Sequence, residues 1–261
     1  MKPKVIAVVG PTASGKTKLA IELAHKYDGE VVSADSRLVY KGFDIASAKP
    51  TMEEREGVPH HLIDIVEPEF DYSAGKYAED AKVAIEDILS RGKMPIVAGG
   101  TGLYFRVLLE NYNLPKVETD YVLRSDLEKR DKADLLAELE KLDNITYERV
   151  KDANLRRIIR ALELIKLLGK PLSSVSMEKE PEYDVEWIMP EIPSREWLYE
   201  RINRRVDIMV EMGVIEETQN LIKIHGRIPN IVDTIGYKEI LTYLDGVATL
   251  EEALSKLKQH S

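Results

Sequence analysis

The stretch Gly10-Pro11-Thr12-Ala13-Ser14-Gly15-Lys16-Thr17 combines residue types and a spacing that can do chemistry. It follows the apolar run Val5-Ile6-Ala7-Val8-Val9 and precedes a helical pattern. That is the strand–loop–helix setting in which G-x-x-x-x-G-K-[ST] binds phosphate. Glycines at both ends let backbone N–H groups curl around a diphosphate without Cβ clashes. Lys16 supplies a point charge for phosphate oxygens. The Thr17 hydroxyl can ligate a magnesium ion that bridges the same phosphates, and the following helix aims its positive end at the anion. An ordinary glycine-rich turn would not call for Lys followed by Thr. The loop does not say what carries the phosphates, because kinases, ATPases, GTPases and some transferases all share it.

Other residues add chemistry. Val31-Val32-Ser33-Ala34-Asp35 reads as a buried strand ending in a carboxylate. In a doubly wound sheet the ligand crevice lies at strand C-terminal ends, so Asp35 is expected near the phosphate loop. Its open roles are magnesium ligand, general base, or plain turn or N-cap aspartate. Ser36, Arg37 and Leu38 follow it and could line the same cleft. Gly99-Gly100-Thr101-Gly102 ends another strand, where Thr101 offers either a site hydroxyl or a helix N-cap. Two arginine clusters, Arg156/Arg157/Arg160 and Arg201/Arg204/Arg205, each place two arginines four apart on a helix. Like charges at that spacing repel by a few tenths of a kcal/mol. Such faces suit phosphates, or solvent with local partners such as Glu163 and Glu200. His60-His61 lacks the further ligands a metal would want, which favours a structural or substrate-contact role.

The elements that must position these residues alternate. Strands are expected at 4–9, 30–34, 61–65 and 94–98, with helices at 15–27 and 74–91. Alternation of this kind predicts an α/β fold: a P-loop NTPase-like parallel sheet covered by helices on both faces. Strand signals fade between 113 and 193, where helical, charged stretches at 125–142 and 154–168 suggest an inserted helical domain. A long helix is expected at 194–223, and two short helical patterns end the chain. The core domain is therefore 1–112 with 194–261, and the insertion 113–193.

Bulk properties agree. The 261 residues suit a medium α/β domain with an insertion, and 44% hydrophobic content supports a sizeable core. Cysteine is absent, which fits a reducing compartment. No run reaches membrane-spanning length, so the expected location is cytoplasmic with no membrane partner. The net charge of −9 argues mildly against nucleic-acid binding over the whole surface but leaves room for a local basic face.

Taken in order, the motifs resemble one family, the tRNA dimethylallyltransferases (IPP transferases). The matching stretches are GPTASGKT at 10–17, SADSRLVYKGFDIASAKP at 33–50, GVPHHLID at 57–64, GKMPIVAGGTGLY at 92–104, RRIIRALEL at 156–164, REWLYERINRRVD at 195–207 and IGYKE at 235–239. The resemblance implies transfer of a dimethylallyl group from dimethylallyl diphosphate to N6 of the adenosine at tRNA position 37, beside the anticodon, with release of pyrophosphate. The phosphate loop would hold the diphosphate leaving group, with Mg²⁺ and Lys16 stabilising its charge. The target base would be flipped out of its stack. Asp35 matches the family's general base. Thr101 matches a position near the reacting groups, and Arg205 an arginine that helps hold the diphosphate, with Arg201 its rival. Segments matching tRNA contacts comprise Asp35, Ser36, Arg37 and Leu38, Thr101, and Arg156, Arg157, Ile158, Ile159 and Arg160. The insertion matches a domain that clamps the anticodon stem-loop. The implied partners are tRNA and dimethylallyl diphosphate, with the enzyme itself a monomer.

The chain departs from the family pattern in places. Ala46 and Ser47 stand where Gly and Thr are usual, and Leu38 where Gln is frequent. The segment 127–144 is shorter than usual. Most members continue past 258–261 into a basic, aromatic-containing tail, whose loss is expected to weaken tRNA binding in a salt-dependent way. Against this reading stand a small-molecule kinase, a nucleotide-dependent switch, and relatives that prenylate free adenine nucleotides; the helical insertion argues for tRNA over a free nucleotide.

Overall fold

A computed structural model describes residues 2–110, 112–115, 117, 119–176 and 180–261. In chain order the elements are β1 (Lys4–Val8), α1 (Lys16–Tyr27), β2 (Gly29–Ser33), β3 (His60–His61), α2 (Ala74–Ser90), β4 (Met94–Ala98), α3 (Gly102–Leu109), α4 (Tyr121–Glu128), α5 (Lys132–Leu142), α6 (Asn144–Val150), α7 (Leu155–Leu168), β5 (Asp184–Ile188), α8 (Arg195–Glu211), α9 (Val214–His225), α10 (Pro229–Val232), α11 (Tyr237–Leu244) and α12 (Leu250–His260). The chain divides into two compact units, residues 1–109 with 181–261, and residues 110–180.

The first unit is built on a parallel sheet of order β3-β2-β4-β1-β5 among the described residues. Going from β1 to β2 the chain crosses one way over β4; going from β2 to β4 it returns. Right-handed crossovers then put α1 and α2 on opposite faces. The packing agrees. Ile6, Ile96 and Val31 share one row of the sheet and form a core with Ala20, Ile21 and Ala24 of α1. Ala7, Val97 and Val32 form the next row, facing the other way, and are fully buried. Tyr77, Ala81, Ala84, Ile85 and Ile88 make the buried stripe of α2 at helical spacing. Each valine or isoleucine so buried contributes roughly 1.5–3 kcal/mol of transfer free energy.

Several expectations need correction. The stretch taken as strandless between 113 and 193 contains β5, which pairs with β1 from Lys4↔Asp184 to Val8↔Ile188. Its charged alternation, Asp184-Val185-Glu186-Trp187-Ile188, is that of a partly exposed edge strand and gave no apolar run. The strand expected at 61–65 is only His60–His61, because Leu62 (φ 62°) and Asp64 (φ 57°) turn left-handed. The helix expected at 194–223 breaks at Gly213 (φ 95°), and that at 125–142 breaks between Glu128 and Lys132.

The second unit is helical. Leu127, Leu135, Leu139, Ile158, Ile159, Ala161, Leu162 and Ile165 form its core. Inside it, the fully buried Glu163 takes hydrogen bonds from Arg124 and Arg160, each at 2.9 Å. Burial opposes its ionisation, but the two guanidinium groups outweigh that and hold the carboxyl below the usual range.

Candidate active site

The phosphate loop joins β1 to α1. Ala13 (φ 62°) and Gly15 (φ 95°) are both left-handed, which rolls the backbone into a concave turn. Gly15 caps α1 without any side-chain bond, and no acidic residue occupies the helix's first turn. The amides and positive end of α1 are thus left to an external anion. Ser14 Oγ is buried in the loop with no hydrogen-bond partner, an orphan that a phosphate oxygen would satisfy. Lys16 Nζ donates to the Pro11 carbonyl at 2.6 Å, folding its ammonium back over the loop.

Asp35 follows β2 at the same sheet end. One carboxylate oxygen accepts the Arg37 amide at 2.8 Å, an Asx turn that orients the group. The turn-aspartate reading is therefore realised, and a carboxylate has acceptor capacity beyond it. The Asp35 charge reaches both Lys16 and Arg205. Burial lowers the Lys16 pKa, Asp35 resists that, and Arg205 adds to the lowering. Burial likewise lowers the Arg205 pKa, with Asp35 opposing. Two cations flanking one carboxylate in a half-buried cleft are short of negative charge, which a diphosphate would bring.

Thr101 follows β4. Its hydroxyl oxygen accepts the Ser36 amide at 3.0 Å, and its own amide donates to the Ala34 carbonyl at 3.1 Å. The hydroxyl oxygen thus ties the end of β4 to the loop after β2, and its O–H remains able to donate. Gly99 makes this approach possible: a Cβ there would lie 2.2 Å from the Ala34 carbonyl oxygen.

The α8 arginines separate by geometry. Arg201 Nε donates to the Ala13 carbonyl of the phosphate loop at 2.7 Å while its guanidinium lies 4.7 Å above the Trp197 ring. Arg205, a turn further along, donates to the Ser47 carbonyl at 3.4 Å and faces the Asp35–Lys16 pair. Lys16, Asp35, Thr101 and Arg205 thus share one end of the sheet.

Other expected residues stand elsewhere. Ile158 and Ile159, expected among the tRNA contacts, have their side chains buried in the core of the helical unit, which leaves only their backbone for such a contact. Arg156 and Arg157 are exposed on the same helix, and Arg160 is paired with Glu163. His61 bonds the buried Glu30 at 2.8 Å, a structural role.

Two further residues shape the site: Lys49, inside the 33–50 stretch but given no role there, and Glu217, outside every matching stretch. Lys49, with its side chain 6% exposed, ties the Tyr40 carbonyl (3.1 Å) to Asp44 (2.7 Å) and Asp64. Glu217 takes hydrogen bonds from the amides of Asp44, Ile45 and Ala46. Glu217 stands more than 170 positions from the amides it binds, and Lys49 reaches partners 5 to 15 positions away with no helical or strand period, so neither leaves a periodic trace.

Comparison with known proteins identifies the family. The IPP transferase model matches residues 38–261 and the isopentenyl transferase model residues 3–67. The chain is 44% identical to the tRNA dimethylallyltransferase of Pelotomaculum thermopropionicum, over 100% of this chain and 84% of that one. It is 45% identical to that of Thermomicrobium roseum, over 97% and 78%. It superposes on a crystal structure of the full-length tRNA isopentenylpyrophosphate transferase from Bacillus halodurans with TM-score 0.71 and 42% identity, over 99% of this chain and 83% of that one. A eukaryotic dimethylallyltransferase crystallised acting on tRNA gives TM-score 0.81 at 30% identity, over 99% and 67%. With similarity of this strength running from end to end, the chain belongs to the IPP transferase family, the tRNA dimethylallyltransferases.

Proposed function

We propose that this chain transfers the dimethylallyl group of dimethylallyl diphosphate to N6 of the adenosine at tRNA position 37. The observation that carries the reading is that Lys16, Asp35 and Arg205 stand at the same end of the sheet as an uncapped phosphate loop, close enough for the Asp35 charge to act on both cations. In the reaction the N6–C1 bond forms as the C1–O bond to the diphosphate breaks. Asp35 takes the proton that N6 sheds, and pyrophosphate leaves into the loop. Gly10, Pro11, Thr12, Ala13, Ser14, Gly15, Lys16 and Thr17 receive it, the loop by its amides and Lys16 by charge. Arg205 neutralises the leaving oxygens from the opposite wall, and Arg201 braces the loop from outside through the Ala13 carbonyl. Thr101 holds the Asp35 loop in register.

The residues present fit a magnesium ion. Mg²⁺ keeps several waters and is commonly held by few protein groups plus substrate phosphates. Thr17 stands exposed in the first turn of α1, and no cluster of three or more His, Cys, Asp or Glu able to hold a metal occurs among the described residues. When bound with the diphosphate, the ion would supply further charge neutralisation of the leaving group.

The helical unit supplies the tRNA clamp in this reading, with the exposed Arg156 and Arg157 meeting the phosphate backbone. Among the described residues no helix is long and apolar enough to cross a membrane. We read the enzyme as a monomer in solution, which light scattering can check.

A transfer assay tests the whole reading. The protein is incubated with Mg²⁺, radiolabelled dimethylallyl diphosphate and an unmodified anticodon stem-loop, with AMP as a competing acceptor. Label in the stem-loop that disappears when the target adenosine is replaced by guanosine is the expected result. Label in AMP alone would overturn the tRNA assignment.

A further inference from the structure

The segment Ile235-Gly236-Tyr237-Lys238-Glu239 has no part in the chemistry above, yet its first residues are built tightly against the loop that faces Arg205. Gly236 adopts φ 104°, and a Cβ there would meet the Ala46 Cβ at 2.7 Å. Tyr237 is fully buried, packs edge-on against Phe43 at 4.9 Å between ring centroids, and donates its hydroxyl to Glu217 Oε1 at 2.7 Å. Burial and then the Glu217 carboxylate push the Tyr237 hydroxyl above its ordinary pKa, so it remains a donor.

Glu217, on α9, is what these contacts serve. Its Oε2 accepts the amides of Asp44 at 3.2 Å and Ile45 at 2.7 Å, and its Oε1 accepts the amide of Ala46 at 3.1 Å. Three successive backbone N–H groups converge on one carboxylate, a nest geometry that fixes the direction of the peptides it binds. The next residue, Ser47, presents the carbonyl that receives Arg205. α8, which carries Arg205, runs into α9 through the single left-handed Gly213. One carboxylate thereby joins the continuation of the arginine helix to the loop that aims the arginine.

We propose that Glu217, oriented by Tyr237, is a positioning residue for the diphosphate site: it sets the 44–47 loop so that the Ser47 carbonyl points Arg205 at the leaving group. The inference rests on the reading of Arg205 as a diphosphate ligand. Charge matters here as well as shape, because a carboxylate accepts from every donor offered. Glutamine at the same place keeps one acceptor oxygen and turns an NH₂ against backbone amides.

The test measures binding of inorganic pyrophosphate with Mg²⁺ by calorimetry on the full chain, together with steady-state kinetics. Glu217→Gln is expected to weaken pyrophosphate about tenfold and raise KM for dimethylallyl diphosphate to match, with KM for tRNA unchanged. Tyr237→Phe, which leaves the three amide bonds in place, is expected to weaken pyrophosphate about threefold. A purely structural role would lower the melting temperature and the active fraction while leaving both pyrophosphate affinity and KM alone. Unaltered pyrophosphate affinity in a folded Glu217→Gln protein would overturn the proposal. If that variant does not fold, unaltered affinity in Tyr237→Phe would do so. No pyrophosphate binding by the unsubstituted protein would instead overturn the diphosphate site itself, and the proposal with it.

Discussion

Thr101 grips the backbone on both sides of Asp35. Its amide donates to the Ala34 carbonyl at 3.1 Å and its hydroxyl oxygen accepts the Ser36 amide at 3.0 Å. Asp35 is thus the single residue between two anchored peptides, held from β4 at the point where β2 ends. In the proposed reaction Asp35 would have to sit within hydrogen-bond reach of the proton it takes, and this arrangement fixes the backbone from which it would reach.

Thr101→Val keeps the shape and removes the acceptor. We expect kcat to fall about tenfold to a hundredfold, with the melting temperature little changed. Thr101→Ser keeps the acceptor and should retain most of the activity. Full activity in Thr101→Val with loss in Thr101→Ser, measured by the stem-loop transfer assay, would point to the methyl group and against the Ser36 bond.

Asp35→Ala should abolish turnover while pyrophosphate still binds, because the phosphate-loop amides and Lys16 are untouched. Removing the carboxylate also removes the charge that resists lowering of the Lys16 and Arg205 pKa values. Calorimetry with pyrophosphate decides the role: parallel loss of binding and turnover would make Asp35 a holder of the anion or its metal, not the base.

Gly99→Ala should destabilise the protein by about 1–3 kcal/mol, since the added Cβ falls 2.2 Å from the Ala34 carbonyl oxygen in the backbone of the adjacent strand end. Denaturant melts measure this. The same substitution at Gly100, where nothing lies within 4 Å of a built Cβ, serves as the control and should be nearly neutral.

On α7 the two faces should answer differently. Arg156→Ala is expected to raise KM for tRNA and reduce the salt slope of binding by about one, with stability preserved. Ile158→Ala should instead cost about 2–5 kcal/mol of stability through a cavity in the helical core. Unchanged tRNA binding in Arg156→Ala at several salt concentrations would remove that arginine from the interface.

Acid should act through Glu30. Its side chain is 3% exposed and bonded by Arg91, His61 and Lys93, with Arg91 the largest cause of a carboxyl pKa lowered to about 2. A carboxyl depressed in the folded state stabilises at pH above its unfolded value, and that stabilisation is lost as pH falls toward about 2. By linkage the loss over this window is roughly 3 kcal/mol. Glu30→Gln should be less stable at neutral pH and show a flatter stability profile below pH ~4.5. Parallel profiles for the two proteins, from urea melts at stepped pH, would contradict the ion cluster.

The site was legible in the sequence wherever its chemistry depends on contiguous residues. The phosphate loop needs neighbouring amides and an adjacent helix start, so Gly10 to Thr17 announce it. Asp35 and Thr101 were legible because each follows a short apolar strand, and parallel strands deliver their C-terminal ends to one edge. Helical periodicity marked α1, α2 and α7. It did not mark the breaks: Gly213 lies inside an otherwise continuous apolar pattern, and only its left-handed φ of 95° separates α8 from α9.

What only the tertiary structure decided are relations between residues distant in the chain. β5 has the charged alternation of an edge strand, and pairing with β1 is what makes it part of the sheet. Of the stretch at 156–160, packing turned Ile158 and Ile159 inward and left Arg156 and Arg157 outside. Arg201 and Arg205 are one helical turn apart and chemically alike, and only the folded chain sends one to the Ala13 carbonyl and the other toward Asp35. Glu217 reaches amides more than 170 positions away. Local spacing encodes what adjacent backbone can do; the meeting of distant side chains is set by how the sheet and helices pack.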